Sequence, residues 1–492
     1  MNKTTFYKSL ITSLFLFFLF FANLTVAQVG IGTVTPDATA VLDVSSTTQG
    51  MLTPRMTTTQ RNAITTPANG LMVYDTTLKS FYYYDTTITA WVSMNAATSY
   101  GRLNFKRIKS TDVLATVLAA EKSAGGGLAY KLDTNTLYEI NGTINVDLPI
   151  DLNNAYIAGL DTNEDKLVKA GGTLFTGSGG SIKSVTLQAT GGTVFALSGT
   201  AADSFVFRDA IVVSSASVGT ISGFGLVFSS IVQYAGNGAG VTYTNISKLL
   251  LSNIGWFAGN SGTYEKLTGT FGLVQKQGGF SEVSGAATAF DVSTFGLAVG
   301  VGILGGTVFS GTTTAPDGYV KGYAAAQTYL GYNFSNVWNV DSPGIPKESD
   351  DVATGNLYYD SSSIINISST AAFKLPVNTN SIRLFRTAEG AGVNSENRLI
   401  YKGEGRRALN VLGALSFTAT SGSRYTFSIY KNGGIVVGSE VDVDVTTTNA
   451  RQSVSIIGTV DVVKNDYIEI YVKKTTSGNE QFLMTSYNLI FN

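Results

Sequence analysis

Phe205-Val206-Phe207, Ile211-Val212-Val213 and Leu249-Leu250-Leu251 are three of the short apolar segments that fill the chain from about Tyr138 to Gly311. Glycine-rich turns with almost no charge separate them. The clusters recur roughly every 8 to 12 residues, the spacing of several short strands joined by turns within one coil of a solenoid. Three clusters make one coil on this reading. Phe207-Arg-Asp-Ala-Ile211, Tyr243-Thr-Asn-Ile246 and Phe290-Asp-Val292 share an aromatic–polar–apolar shape, but no exact period survives, so a sandwich of many strands stands as the alternative. The density of glycine, and so long a run without a helix, favour a right-handed parallel β-helix over residues 137–335.

Composition agrees. The 492 residues include 54 Gly and 8 Pro, with 44% hydrophobic and only 14% charged residues, which is too apolar for disorder and too rich in turns for a helical protein. An all-β chain follows. A formal net charge of −1 leaves no basic footprint for nucleic acid or an anionic membrane, and the small clusters Arg102 to Lys109 and Arg406-Arg407 read as solvated loops. With no Cys and no His, thiol nucleophiles, disulfides, Cys/His zinc sites, haem ligation and a Ser/His/Asp triad are all excluded. No cofactor is expected.

Working outward toward the N-terminus, residues 1–27 have the pattern of a secretory signal: Lys3 and Lys8, an apolar run from Leu10 to Phe21, and Thr25-Val26-Ala27 before Gln28. Cleavage is expected between Ala27 and Gln28, leaving no membrane span in the mature chain. Val29-Gly-Ile-Gly-Thr-Val-Thr-Pro36, Ala40-Val-Leu-Asp-Val44, Gly50-Met-Leu-Thr-Pro-Arg-Met56 and Asn69-Gly-Leu-Met-Val-Tyr-Asp75 follow. This stretch resembles the N-terminal attachment module of secreted and phage-fibre-like proteins of Bacteroidota. Physically, Thr57-x-x-Gln60 is a capping box for one short helix. Leu71-Met-Val-Tyr, Phe81-Tyr-Tyr-Tyr and Ala90-Trp-Val-Ser-Met then form a β-meander parted by Asp-Thr-Thr turns, so that residues 28–95 make one small module. Tyr82, Tyr83, Tyr84 and Trp91 suit either sugar stacking or strand packing, and packing is the commoner reason.

Residues 96–136 read as a connector holding one amphipathic helix, Asp112 to Lys122, with Val113, Leu114, Val117 and Leu118 as its apolar stripe and Gly125-Gly-Gly127 as its stop. Such a helix caps the open end of a solenoid. The opening of the solenoid, Leu137-Tyr-Glu-Ile-Asn-Gly-Thr-Ile-Asn-Val146 through Ala158-Gly-Leu-Asp161, resembles the first coils of phage tail-fibre and tailspike β-helices, families in which three chains form a rigid stalk. Pro343-Gly-Ile-Pro346 and Glu348-Ser-Asp-Asp351 mark a stiff, solvated linker within a neck over 336–372.

Longer alternating strands follow over 373–492, in a number close to that of a jelly roll. They include Leu409-Asn-Val-Leu-Gly-Ala-Leu-Ser-Phe417, Gln452-Ser-Val-Ser-Ile-Ile-Gly458 and Asn488-Leu-Ile-Phe-Asn492. Tyr425-Thr-Phe-Ser-Ile-Tyr-Lys-Asn-Gly433 and Val463-Lys-Asn-Asp-Tyr-Ile-Glu-Ile-Tyr-Val472 resemble the C1q/tumour-necrosis-factor-like jelly rolls that form receptor-binding heads. That resemblance implies a homotrimer with Tyr467, Tyr471, Tyr487 and Phe491 in its core.

Chemistry has few footholds. Asp161-Thr-Asn-Glu-Asp165 places Asp161, Asn163 and Asp165 at the spacing of a calcium loop, but Lys166 and Gly172 stand where such a loop needs glycine and a bidentate glutamate. A polar turn explains it as well. A polysaccharide lyase or hydrolase needs two carboxylates across a sugar bond, and Asp147, Asp151, Asp203, Asp209, Glu265, Glu282 and Asp291 show no paired spacing. Asp442-Val-Asp444 puts two acids on one face of a strand, where solvation is the simpler reason. Gly30-Ile-Gly32 and Gly177-Ser-Gly-Gly180 read as turns, with no Walker-type lysine after either. The sequence thus predicts a secreted or cell-surface, tail-fibre-like binding protein that recognises a glycan or protein ligand through its head or stalk. A carboxylate-dependent polysaccharide-cleaving enzyme and a purely structural stalk are the alternatives.

Overall fold

The structure is a computed structural model that describes residues 3–20, 28–94, 104–392 and 396–492. The chain divides into two compact units, Met1–Arg102 and Leu103–Asn492. In the first, Lys3–Phe20 is an α-helix, and no helix among the described residues is long and apolar enough to cross a membrane. The expected cleavage site has its Ala27 side outside the described residues. Val29–Ile31 and Leu42–Val44 pair in parallel. Thr58–Asn62 is the expected short helix, with Gln60 N–H donating to the Thr57 hydroxyl and Thr57 N–H donating to the Gln60 side chain.

Met72–Asp75, Ser80–Asp85 and Ala90–Ser93 form the meander. Its first Asp-Thr-Thr turn closes on the buried Asp75 carboxylate, which accepts the N–H groups of Thr77 and Leu78 and the Thr58 hydroxyl, and pairs with Arg61 at 3.1 Å. Arg61 lies 3.9 Å over the Tyr82 ring, and Tyr84 meets Trp91 edge-on at 5.4 Å. These aromatics are thereby engaged in their own module.

The second unit opens with a parallel β-solenoid of three faces. One column of strands can be followed residue by residue: Phe105 pairs with Leu137, Leu137 with Tyr156, Tyr156 with Ser181, and Ser181 with Val206. It continues through Phe228, Leu250, Gln275 and Ile303 to Asn339. Within each strand alternate side chains point inward, so Phe205 and Phe207, Val227 and Ser229, and Leu249 and Leu251 stack coil on coil. Gly302 is forced by the same stacking. Any Cβ there would stand 2.2 Å from the Trp338 indole of the next coil.

The corner after this column is a line of left-handed residues, Ser184, Asp209, Ile231, Asn253, Gly278 and Gly306, each following a strand that is in register with the last. Successive members lie 22, 25 or 28 residues apart. The backbone geometry repeats and the sequence length does not, which is why no fixed period is visible. A second corner is held by a buried polar ladder: Asn237 N–H and Nδ2 donate to Asn260 Oδ1, and Asn260 Nδ2 donates to the carbonyls of Tyr234 and Phe257.

Several boundaries differ from expectation. The sheet begins at Phe105–Lys109, so part of the stretch read as connector and as a solvated basic loop forms the first strand, with Lys106 and Arg107 paired to Glu121 and Glu139. The capping helix is two short ones, Leu114–Val117 and Ala119–Ala124, broken at Leu118 where ψ is 32°. Leu114 and Leu118 are buried in the solenoid core while Val113 is exposed. At the other end Trp338–Asp341 is the last strand of the solenoid.

The expected solvated linker is instead a packed junction. Glu348 is fully buried, its two carboxylate oxygens accepting the N–H groups of Asn333 and Phe334, and its backbone bridges Val340. Arg386, a head residue, reaches into the same place, donating to the carbonyls of Trp338 and Ser349 and pairing with Asp350. Glu348 turns inward because backbone donors await it there, an arrangement the acidic run Glu348-Ser-Asp-Asp351 does not announce.

The head is a sandwich of two antiparallel sheets. One sheet is ordered Asn380–Phe385, Thr354–Tyr359, Glu480–Phe491, Arg407–Ala419 and Arg451–Val462, with Ser363–Ile367 beside the C-terminal strand. The other contains Thr387–Glu389, Leu399–Tyr401, Tyr467–Lys474 and Arg424–Lys431, flanked by Phe373–Lys374, Gly434–Ile435 and Val441–Asp444. Phe417, Phe427, Ile456, Ile470 and Leu489 fill the space between them. Tyr487 and Phe491 belong to this core as well and are buried within a single chain. This corrects the role implied by resemblance: on the C-terminal strand, Asn488 and Ile490 are the half-buried alternate residues. Asp442 and Asp444 are tied across strands to Thr426 and Arg424.

Candidate functional site

The solenoid carboxylates are dispersed. Asp165 accepts N–H groups from Gly142, Leu160 and Asp161, at 2.8, 2.7 and 3.1 Å, which holds its carboxyl below the usual range against the opposing effect of burial. Asp161 in turn accepts the Asn163 N–H at 2.8 Å. The Asp161, Asn163, Asp165 stretch is thus a turn stitched by its own backbone, and among the described residues no three Asp or Glu side chains are grouped to hold a metal ion. Asp147 accepts the Tyr130 hydroxyl, Asp203 accepts from Thr200, and Asp291 from Ser293. Glu265 faces inward and pairs with Lys276 at 2.9 Å, both side chains only 1% exposed. Each of these acids is engaged by its own turn or by a neighbouring coil.

A polar pocket in the second unit lies on the outer face of the head's second sheet, on the strand Tyr467–Lys474. Alternation sends Ile468, Ile470 and Val472 into the sandwich core, which leaves Tyr467, Glu469 and Tyr471 on the other face. Glu469 is nevertheless 1% exposed, because two cations close over it. Arg398 places Nη2 and Nε 2.7 and 2.8 Å from Glu469 Oε1, and Lys374 Nζ stands 3.1 Å from the same oxygen. The pairing brings together three distant parts of the chain, since Phe373–Lys374 and Leu399–Tyr401 both hydrogen-bond to that strand.

Aromatic rings frame the charges. The Arg398 guanidinium lies 4.1 Å over the Tyr467 ring, and Tyr471 stacks on Tyr430 at 3.8 Å and 14°. Burial lowers the Lys374 ammonium pKa, with Glu469 opposing the shift; burial and the neighbouring Glu469 raise that of the Tyr471 phenol. Asn397 completes the wall. It has a left-handed backbone (φ 56°), is 2% exposed, and donates Nδ2 to the carbonyls of Leu375 and Val377, while its Oδ1 has no hydrogen-bond partner. Glu396 and Asn378 lie on the rim of a cavity of about 400 Å³. The arrangement offers donors, acceptors and ring faces side by side.

None of these residues was singled out as a site by sequence reasoning. The available signal was Tyr467-Ile-Glu-Ile-Tyr471, an acid between two aromatics on the outward phase of a strand. Its cationic partners come from loops far away in sequence, which no local pattern shows.

Residues 30–116 match the family model described as the phage tail like trimerisation region. No curated protein matches the chain. Among solved structures the chain is similar to Eiger TNF from S. frugiperda, at 9% identity over 28% of this chain and 91% of that one, with a TM-score of 0.22. It is also similar to the enzymatically active domain of tailspike protein 4 of bacteriophage CBA120, at 9% identity over 89% of this chain and 77% of that one, with a TM-score of 0.25. A third is tailspike protein gp49 from the Acinetobacter baumannii bacteriophage Fri1, described as a capsular polysaccharide depolymerase, at 10% identity over 89% and 98% of the two chains and a TM-score of 0.24. Likeness of this degree carries no residue-level correspondence, and the architecture here stands on the strand pairing of the chain itself.

Proposed function

We propose that this chain is an extracellular, tail-fibre-like homotrimer that binds a surface ligand, a carbohydrate, through its head. In this reading residues 1–27 are a secretory leader removed before Gln28, the module over 28–95 attaches and trimerises, the solenoid is a stalk, and the sandwich is a C1q/tumour-necrosis-factor-like jelly-roll head. The observation that carries it is the match of residues 30–116 to a phage tail like trimerisation region, a stretch that runs into the first strand of a parallel solenoid.

The head adds support for self-association. Ile382, Asn356, Ile490, Leu412 and Ile457 form one row across the outer face of its first sheet, with Ile457 65% exposed. A row of exposed apolar side chains on a sheet face suits contact with further copies of the chain. Binding is favoured over cleavage because the solenoid carboxylates are engaged in turns and ion pairs rather than facing one another.

Light scattering on the mature chain after size exclusion tests the assembly, with three times the monomer mass expected; a monomer at micromolar concentration overturns the fibre reading. A glycan array paired with a reducing-end assay on acidic polysaccharides tests the activity. Binding without turnover is expected, and release of reducing ends would transfer the chain to the enzyme class.

A further inference from the structure

We propose that the pocket formed by Lys374, Arg398, Glu396, Glu469, Asn397 and Tyr471 is the ligand subsite of the head and takes an uncharged hexopyranose; this rests on the carbohydrate-binding reading above. Two cations and two carboxylates share the cavity, so its formal charge is zero. Lys374 and Arg398 converge on a single oxygen of Glu469. An incoming sugar carboxylate would have to compete with a buried, already satisfied ion pair for those cations, and withdrawing either from Glu469 leaves a buried charge short of a partner. A hydroxyl needs no such exchange. It can donate to an acceptor and receive from a donor at once, and the pocket presents both kinds side by side.

Asn397, anchored through its amide nitrogen to the carbonyls of Leu375 and Val377 and held in a left-handed backbone conformation, fixes one wall of the cavity. Tyr471, fixed by its stack on Tyr430, offers a ring for the C–H face of a pyranose. The cavity volume lies within the roughly 300–1,000 Å³ of small-molecule sites.

The test uses the mature full-length chain on an array of neutral, uronic-acid and sialylated glycans, followed by calorimetric titration with the methyl glycoside of the terminal hexose of the best ligand. Wild type is expected to select neutral glycans. Tyr471→Ser and Arg398→Lys should each weaken binding tenfold or more in chains that remain folded at the temperature of the titration, whereas Ser453→Ala on the opposite sheet should leave it intact. Glu396→Gln, which gives the pocket an excess positive charge, should gain binding of uronic acids. Glycan binding indifferent to Tyr471→Ser and Arg398→Lys overturns this site while leaving the carbohydrate-binding reading in place. Selection of acidic glycans, lost in the same variants, overturns the neutral-sugar assignment. No glycan binding at all overturns the carbohydrate reading and this inference with it.

Discussion

Removing Lys276 alone is expected to destabilise the solenoid strongly, and removing its partner as well to restore most of the loss. Glu265 and Lys276 project from two different faces of one coil into the interior, where their side chains are 1% exposed and 2.9 Å apart. At an effective dielectric of 20 their attraction is roughly 6 kcal/mol, which offsets a desolvation cost of several kcal/mol for each ion. Lys276→Met leaves the Glu265 carboxylate with only the Trp256 indole N–H, 3.1 Å away. Such a stranded charge costs about 3–5 kcal/mol, or about 4–6 °C in melting temperature for a unit of this size. Glu265→Gln added to Lys276→Met removes the charge and keeps an oxygen for the indole, so at least half the loss should return. Trp256 is stacked between Tyr234 at 3.9 Å and Tyr264 at 5.0 Å, which makes its fluorescence during thermal unfolding a local readout. A single variant within about 1 kcal/mol of wild type, or a double variant no better than the single, would refute the account of this pair as mutually dependent buried charges.

Two further expectations concern other parts of the second unit. Burial raises the Glu348 carboxyl from 4.5 to about 7 despite the two N–H groups it accepts and the nearby Arg386. Between those values the folded chain keeps a proton that the unfolded chain has released, so stability falls as pH rises through this window and is level on either side of it. The unfolding free energy of wild type minus that of Glu348→Gln should therefore drop by about 3 kcal/mol from pH 4 to pH 7.5, and a constant difference would show that Glu348 titrates normally. Ile231 is a β-branched residue at φ 54° with a side chain 53% exposed, whereas the next coil places Asn253 at the equivalent corner. Ile231→Asn should relieve about 1 kcal/mol of backbone strain and raise the urea midpoint; a lower midpoint would mean that the isoleucine contributes more by packing than it costs in conformation.

The head strands were largely legible in the sequence because each alternates against one core, as in Leu409 to Phe417, whose odd-numbered residues are all buried and whose even-numbered ones mostly face out. The solenoid was legible as a class. Its coils were not, because the repeating unit is a backbone conformation at the corners and only a loosely constrained number of residues lies between them. Ser184, Asp209, Ile231 and Asn253 occupy the same corner with four different side chains. Reading by residue type failed most clearly at the junction, where an acidic run taken for a solvated linker contains the fully buried Glu348. It also failed at Tyr487 and Phe491, whose burial within one chain could not be told from burial between chains.

The sequence by itself determined what the polymer could become. Its glycine content, its period-two strands and its lack of His and Cys set an all-β protein without thiol or imidazole chemistry, since these follow from local geometry and from which functional groups exist at all. Only the tertiary structure decided which charges meet. Glu469 finds Lys374 and Arg398, Glu265 finds Lys276, and Glu348 finds the amides of Asn333 and Phe334, because strand register and chain crossing bring together groups that sequence spacing leaves unrelated. Electrostatic and hydrogen-bond energies depend on distance in space and on exclusion of water, and both are properties of the folded chain alone.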